Sequence, residues 1–266
     1  MRFRFDHAVI LVPSLVEGIA RYSAAGFTVR AGGRHDTLPT ENALIPFTDG
    51  SYLELIALHD PGAREDLRRL AASARWENHL RGVSAIGRRF LPSLAGPEGV
   101  CDYALGGARL KSFAAEARRR GLVMTGPSRF GRETPERRRL EMDLLLPAAE
   151  HLPFLVEDHT PREWRVPTDS GATSHANQAL GVASVTVNAP DVVAAALELA
   201  ESFDAAPRVG EDGVTRLALA GLEVRVAPGK PTGARVVELS GVGRLPADIE
   251  ADGVRGGNAE QTGEVR

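Results

Sequence analysis

One order of elements recurs along this chain, and the recurrence limits the fold more than any other feature. "DHAVILV" is a short apolar run opened by Asp6-His7 and closed by Pro13-Ser14, the pattern of a buried strand. Ser14 can cap "LVEGIARYSAAG", where Leu15, Ile19 and Tyr22 recur at helical spacing and Gly26 supplies the stop. "FTVRAGG", "ENALIPFTDG" and "SYLELIAL" follow as three strands, the last two joined at the hairpin signal Asp49-Gly50. The unit is β-α-β-β-β. It returns as the strand "GVCDYALGG", the helix "ARLKSFAAEARRRG" and the strands "LVMTG", "RRRLEMDLLLP" and "LPFLVED". Ser14 to Gly26 and Arg109 to Gly121 have equal length, so the two units superpose at a shift of 95 residues.

A looser third copy runs through "LGVASVTVNAPD", "VVAAALELAESF", "TRLALAG", "LEVRVAPG" and "RVVELSGV". Such repetition points to a duplicated fold and not to a solenoid. The expected organisation is a pair of units over 1–165 with a helical insertion at about 61–98, then a third unit over 166–245. The tail 246–266 lacks apolar periodicity and is expected to be disordered. "TPREWRVPTDSGATSHAN" reads as a linker.

A chain of 266 residues can bury a sizeable core. Its net charge of -3 leaves no electrostatic footprint for nucleic acid. The single cysteine, Cys101, excludes an intrachain disulfide and a cysteine-rich zinc site, and reads as a buried inert thiol. With no secretory signal and no long apolar stretch, the expectation is a cytoplasmic protein without a membrane span. No dinucleotide fingerprint, P-loop, nucleophile elbow or H-E-x-x-H is present, so no nucleotide cofactor is expected.

Two polar residues interrupt apolar strands. Residues two apart in a strand share a face, so His7 sits with Val9 and Leu11, and Glu54 with Tyr52 and Ile56. An unpaired charge on such a face is costly.

Units opening with "DHAVILV" and closing with "YLELIAL", together with "GGRH", "TEN", "SYLELI" and "LPFLVED", resemble the glyoxalase-like domain proteins of the vicinal oxygen chelate superfamily. That superfamily holds glyoxalase I, extradiol dioxygenases, fosfomycin-resistance transferases and bleomycin-binding proteins. The resemblance covers about Phe5 to Asp158, and the third unit by pattern only. It implies an α+β fold in which repeated βαβββ modules form a curled, cup-like mixed sheet. A third divergent module then completes the domain or promotes a homodimer. It further implies a divalent metal in the cup, held by the first and last strands of each module. His7 and Glu54 fall on those positions in the first module; Asp102 is the counterpart of His7, and Glu157 of Glu54 by strand order. One histidine with oxygen ligands suits nickel, cobalt, manganese or iron(II), with zinc also open. His151 and His159 share strand parity with Glu157 and can substitute for a missing ligand.

A metal there would polarise a carbonyl or enediolate. Without one, His7 and Glu54 remain an acid/base or hydrogen-bonding pair, or ordinary surface positions. The resemblance places the loop "AGGRHDTLPTEN" over the cup mouth, where His35 can serve as general base or hold an oxyanion beside Arg34, Thr40, Asn42 and the strand residue Tyr52. Equally, this loop can be a turn capping its own backbone. Arg129 and Arg132, in "GPSRFGRETPERRR", can clamp a carboxylate or phosphate, or belong to an exposed hairpin. His175 and Asn177 read as packing or capping residues. The expected function is a glyoxalase-like enzyme performing metal-assisted lyase, isomerase or dioxygenase chemistry on a small oxygenated metabolite. The other class is a metal-free protein that sequesters a small molecule; neither involves nucleic acid or a membrane.

Overall fold

A computed structural model describes residues 3–257. Strand β1 (Arg4–Leu11) has neighbours on both sides and is buried along seven of its eight residues, which suits its run of apolar side chains. Helix α1 (Leu15–Ala24) starts where the Ser14 hydroxyl accepts a hydrogen bond from the Glu17 amide at 3.2 Å. It ends at Gly26, whose φ of 86° favours glycine. Strands β2 (Arg30–Arg34), β3 (Thr40–Pro46) and β4 (Tyr52–Leu58) complete the first module. Helices α2 (Pro61–Ala71), α3 (Trp76–Gly82) and α4 (Ala85–Ala95) follow, and β5 (Gly99–Gly106), α5 (Leu110–Arg119), β6 (Met124–Glu133), β7 (Arg139–Pro147) and β8 (Phe154–Asp158) repeat the module.

The eight strands form one mixed sheet in the order β2-β3-β4-β1-β5-β8-β7-β6. It curls until its two edges touch. His35 pairs with Arg132 in a β-bridge, and the Asp36 amide donates to the Gly131 carbonyl at 3.3 Å. The contact depends on Gly33: its φ is 145°, and a Cβ there would lie 2.1 Å from the Glu133 carbonyl oxygen. The result is a cup with two apolar surfaces. Outside, Phe5, Ala8 and Ile10 pack with residues of α1, α5 and the second sheet. Inside, Val9, Leu11, Ile56 and Phe154 meet Phe90 and Leu94 of α4, so the insertion packs into the cup.

Helices α6 (Arg162–Arg165) and α7 (Ser170–Thr173) stand where the sequence reads as a linker. A second sheet follows from β9 (Gly181–Ala189), helix α8 (Val192–Phe203), β10 (Pro207–Val209), β11 (Thr215–Leu219), β12 (Leu222–Pro228), β13 (Gly233–Ser240), helix α9 (Ala247–Ala251) and β14 (Val254–Gly256). Its order is β10-β11-β12-β9-β13-β14. Here β12 runs parallel to β9, as β4 does to β1, which makes β9 to β12 a third βαβββ module.

Two expectations are corrected. "RVVELSGV" does not close the third module: β13 lies antiparallel to β9 as β5 does to β1, and β14 parallel to β13 as β8 does to β5. It opens a shortened fourth module. The missing strand of the third is β10, three exposed residues without apolar alternation. Secondly, residues 247–256 of the expected disordered tail are folded, with Ile249 and Val254 fully buried. The rest of that tail, 258–266, lies outside the described residues. Among the described residues no helix is long and apolar enough to cross a membrane.

Candidate active site

Strands β1 and β4 run side by side with His7 level with Tyr52 and Val9 level with Glu54. Both polar side chains therefore enter the cup. A bulge between Phe5 and His7 interrupts the ladder to β5 and leaves Asp6 beside the same imidazole. The Asp6 carboxylate lies 2.8 Å from His7 Nδ1. His7 Nε2 lies 3.3 Å from Glu54 Oε2, and the ring stacks on Tyr52 with centroids 4.5 Å apart. Glu54 Oε1 accepts from the Asn42 amide and lies 3.7 Å from His35 Nε2. The other ring nitrogen of His35 bonds the Thr40 hydroxyl at 2.8 Å.

Behind this row stands a second. Arg165 donates to Asp6, to Asp158 at 2.7 and 2.8 Å, and to the Tyr52 hydroxyl at 2.6 Å. Arg162 also donates to Asp6. Burial opposes the charge on Asp6, but Arg165, His7 and Arg162 outweigh it and hold the acid well below the usual carboxylate range. Burial likewise opposes the charge on Glu54, which its contacts with His7, His35 and Asn42 bring down to about 2. The two imidazoles diverge. Burial would lower His7, yet its hydrogen bonds to Asp6 and Glu54 raise it; burial lowers His35, and Arg132 pushes the same way against the pull of Glu54. Nδ1 of His7 faces the Asp6 carboxylate and Nε2 faces that of Glu54, so both contacts favour the protonated ring.

These groups line a cavity of about 50 Å³ whose remaining wall is mostly apolar and includes Phe90 and Phe154. His7, His35, Asn42, Tyr52, Glu54 and Arg132 all face it. Thr40 sits one layer back, holding His35. Arg34 is exposed and pairs with Glu41, and Arg129 is half exposed and bonds Glu141 and Asp143, so neither reaches the cavity. The expected loop around Arg129 and Arg132 is mostly strand β6.

The second module supplies no ligands. Across the β1–β5 ladder His7 meets Ala104 and Val9 meets Asp102, a reciprocal register in which Asp102 is the counterpart of His7 at the helices' own shift of 95. Ala104, the counterpart of Val9, is level with Phe154 as Val9 is with Glu54, so Phe154 matches Glu54. The shift is therefore 100 residues at the last strand, and Glu157 lies three residues past the position that answers to Glu54. Asp102 follows a bulge between its own pairing to Val9 and that of Val100 to Ile10, and it lines a different cavity. There it takes two hydrogen bonds from Arg89 of α4, at 2.9 and 2.7 Å. Glu157 caps α5, accepting from the amides of Arg109 and Leu110 at 2.8 and 3.0 Å; Arg109 stands where the first module has its capping Ser14.

The four-residue chelate therefore does not fit this donor set, since Asp102 is held by Arg89 beside another cavity, Phe154 carries no donor atom and Glu157 caps a helix. Among the described residues no group of three or more His, Cys, Asp or Glu is placed to hold a metal ion. His151 lies against Glu198 and His159 against Asp143, away from the cup. His175 accepts from the Thr28 amide and bonds the Pro46 carbonyl, and Asn177 bonds the Ala25 carbonyl, so both tie the linker to the first module. Burial pushes the Cys101 thiol up to about 12.

Asp6, Arg162 and Arg165 escape the sequence reading. The available signal was an acid directly beside His7 and two arginines with an apolar residue inside the linker, "REWRV".

The structure is similar to that of a hypothetical protein from Staphylococcus aureus, with a TM-score of 0.70, 16% identity, and coverage of 90% of this chain and 91% of the other. It is also similar to part of a xylose isomerase-like TIM barrel/4-hydroxyphenylpyruvate dioxygenase fusion protein, with a TM-score of 0.50 and 13% identity. That match covers 89% of this chain and 36% of the fusion protein. At these identities the likeness concerns the fold. No curated protein matches the sequence. The sequence profile of the glyoxalase-like domain matches residues 5–203, a span that holds the whole cup and every residue facing its cavity. On that match and this fold, the chain belongs to the glyoxalase-like domain family of the vicinal oxygen chelate superfamily.

Proposed function

We propose that this protein is an enzyme that moves a proton on a small metabolite carrying an acidic C–H bond beside a carbonyl group, as an isomerase or lyase. One observation carries the reading: Nε2 of His7 and Nε2 of His35 converge on the two oxygens of Glu54, 3.3 and 3.7 Å away, inside one cavity. Paired groups whose surroundings drive their proton affinities apart are the arrangement that acid/base catalysis needs. His7 is the acid. Its contact to Glu54 is long for a hydrogen bond, so a substrate oxygen can take over that proton. His35 is the base: held through Nδ1 by Thr40, it presents Nε2 to the cavity.

In the reaction, His35 Nε2 takes the proton from the carbon beside the carbonyl. The C–H electron pair becomes the C=C bond of an enol, and the carbonyl oxygen receives the proton of His7 Nε2. Glu54 orients both rings and offsets the charge that His35 acquires. Return of the proton to the same or the neighbouring carbon gives epimerisation or isomerisation; departure of a group from that carbon gives elimination. Asp6 and the arginines fix His7, and the apolar wall excludes water, which strengthens each of these interactions.

The test is proton–deuteron exchange at carbon in D2O, followed by NMR over a panel of α-hydroxy and α-oxo carbonyl compounds. Wild-type protein dialysed against a chelator should exchange at least one of them. H35Q should slow that exchange about 100-fold or more. Failure to exchange any compound, loss of exchange on chelation, or an unchanged rate in H35Q overturns the reading.

A further inference from the structure

We infer that the substrate carries a carboxylate and that Arg132 receives it. The inference rests on the proton-transfer reading and adds to it the chemical class of the substrate.

Arg132 is 3% exposed, yet no carboxylate pairs with it among the described residues. Its one hydrogen-bond acceptor among the described residues is the Gly32 carbonyl, reached from Nη1, so that none of those residues accepts from Nε or Nη2. Glu54 and the exposed Glu136 act on it only at a distance. A buried guanidinium is normally paired, because removing its hydration without a partner is expensive. The other buried arginines obey that rule, Arg165 being met by Asp6 and Asp158 and Arg64 by Glu98, and so does the half-buried Arg89, met by Asp102.

Position gives the unpaired charge its meaning. Arg132 lines the cavity that holds His7, His35 and Glu54, and it also lines a larger cleft of about 500 Å³ on its other side, shared with Arg30, Thr134 and Trp164. The inner cavity, about 50 Å³, has room for the reacting end of a molecule and not for a benzene-sized ring. A substrate with its carbonyl between the histidines would place a neighbouring carboxylate against Arg132, and any remainder would extend into the cleft. Charge agrees with this. Arg162 and Arg165 are met by Asp6 and Asp158, and His7 by Asp6 and Glu54, whereas Arg132 has no carboxylate of its own among the described residues. A monocarboxylate neutralises it, and the planar fork of the guanidinium matches the two oxygens.

Titration calorimetry on the full chain tests this, with pyruvate and lactate as acids and pyruvamide and lactamide as neutral twins. The acids should bind wild type about tenfold or more tighter than the amides, and R132Q should remove that preference while leaving amide binding unchanged. R132K, which keeps the charge without the fork, should retain part of it; R129Q should change nothing. Equal binding of acids and amides, no binding of either acid, or acid binding that survives in R132Q overturns the inference. Should R132Q fail to melt cooperatively, R132K decides, since acid affinity equal to wild type is then the overturning result. The two readings fail separately. Arg132-dependent acid binding without carbon exchange removes the catalytic reading alone, and exchange on amides that ignores Arg132 removes the carboxylate alone.

Discussion

Arg165 holds Asp6 by two nitrogens at once, with Nη1 3.0 Å from one carboxylate oxygen and Nη2 3.2 Å from the other. The grip joins a four-residue helix after the cup to the bulge beside His7, and neither side chain is more than 4% exposed. Position matters more than attraction here. The burial of both ions offsets much of what they gain from each other, but removing one leaves the other stranded.

Arg165→Ala should therefore cost about 3–5 kcal/mol, because Asp6 loses its bidentate partner and Asp158 loses two hydrogen bonds. Urea unfolding of the variant beside wild type measures it. A change below about 1 kcal/mol would show that Arg162 alone can hold Asp6.

Catalysis in the proposed scheme needs His35 neutral and His7 protonated. His35 is lowered from 6.5 and His7 is raised from 6.5, so the rate of carbon exchange should form a bell around neutral pH. Asp6→Asn removes the partner that raises His7, and should move the alkaline limb toward lower pH while leaving the acid limb in place. Parallel movement of both limbs would argue against the assignment.

Stability should follow the same groups in opposite directions. His7 has a folded pKa above its unfolded 6.5, so its contribution is complete below 6.5 and is lost as pH rises through the folded value. Glu54 is depressed from 4.5 to about 2, so its contribution is present above 4.5 and is lost as pH falls toward 2. That loss amounts to about 3 kcal/mol, shared with His7 as its partner. Unfolding free energies measured between pH 2 and 5 should lose this portion of their slope in Glu54→Gln.

Asp102→Ala strands Arg89 and frees the insertion helix α4, which should lower stability by about 3 kcal/mol. Because the pair lines a different cavity from His7 and Glu54, carbon exchange per folded molecule should stay within about twofold of wild type. A specific loss of exchange would return Asp102 to the site.

Asp102→His with Phe154→Glu places donors on the two positions that answer to His7 and Glu54. The double variant should bind manganese or zinc stoichiometrically and more tightly than wild type, read by plasma mass spectrometry after dialysis. Equal metal content in both proteins would contradict the equivalence of the strand positions.

The repeat and the helix ends could be read from the sequence because each rests on local chemistry: Ser14 caps, Gly26 stops, and apolar residues alternate. His7, Glu54, Asn42 and Tyr52 converge because β1, β4 and β3 are neighbours, an order that follows from the repeat, whereas His35 and Arg132 join them only because the sheet curls until its edges meet. Glu157 was misassigned for a physical reason. Superposing the helices fixes the register of the first strands, whose bulges at Asp6 and Cys101 match at the same shift of 95, but the chain from helix to last strand is five residues longer in the second module. Nothing local in Asp102 distinguishes a ligand from half of an ion pair, since its partner Arg89 lies on a separate helix. Arg165 was hidden by distance, 159 residues from the carboxylate it holds.

The cup divides its chemistry between duplicates. One half sends His7, Tyr52 and Glu54 into the cavity, whereas β7 and β8 of the other line it with Met142, Leu144, Phe154 and Val156. Reshaping a pocket for a new substrate usually endangers the catalytic groups, because the same strands carry both. Here a directed-evolution library confined to β7 and β8 would vary size and contour while leaving the proton-handling side chains on their own strands. Duplication has made selectivity and reactivity separately heritable within a single fold.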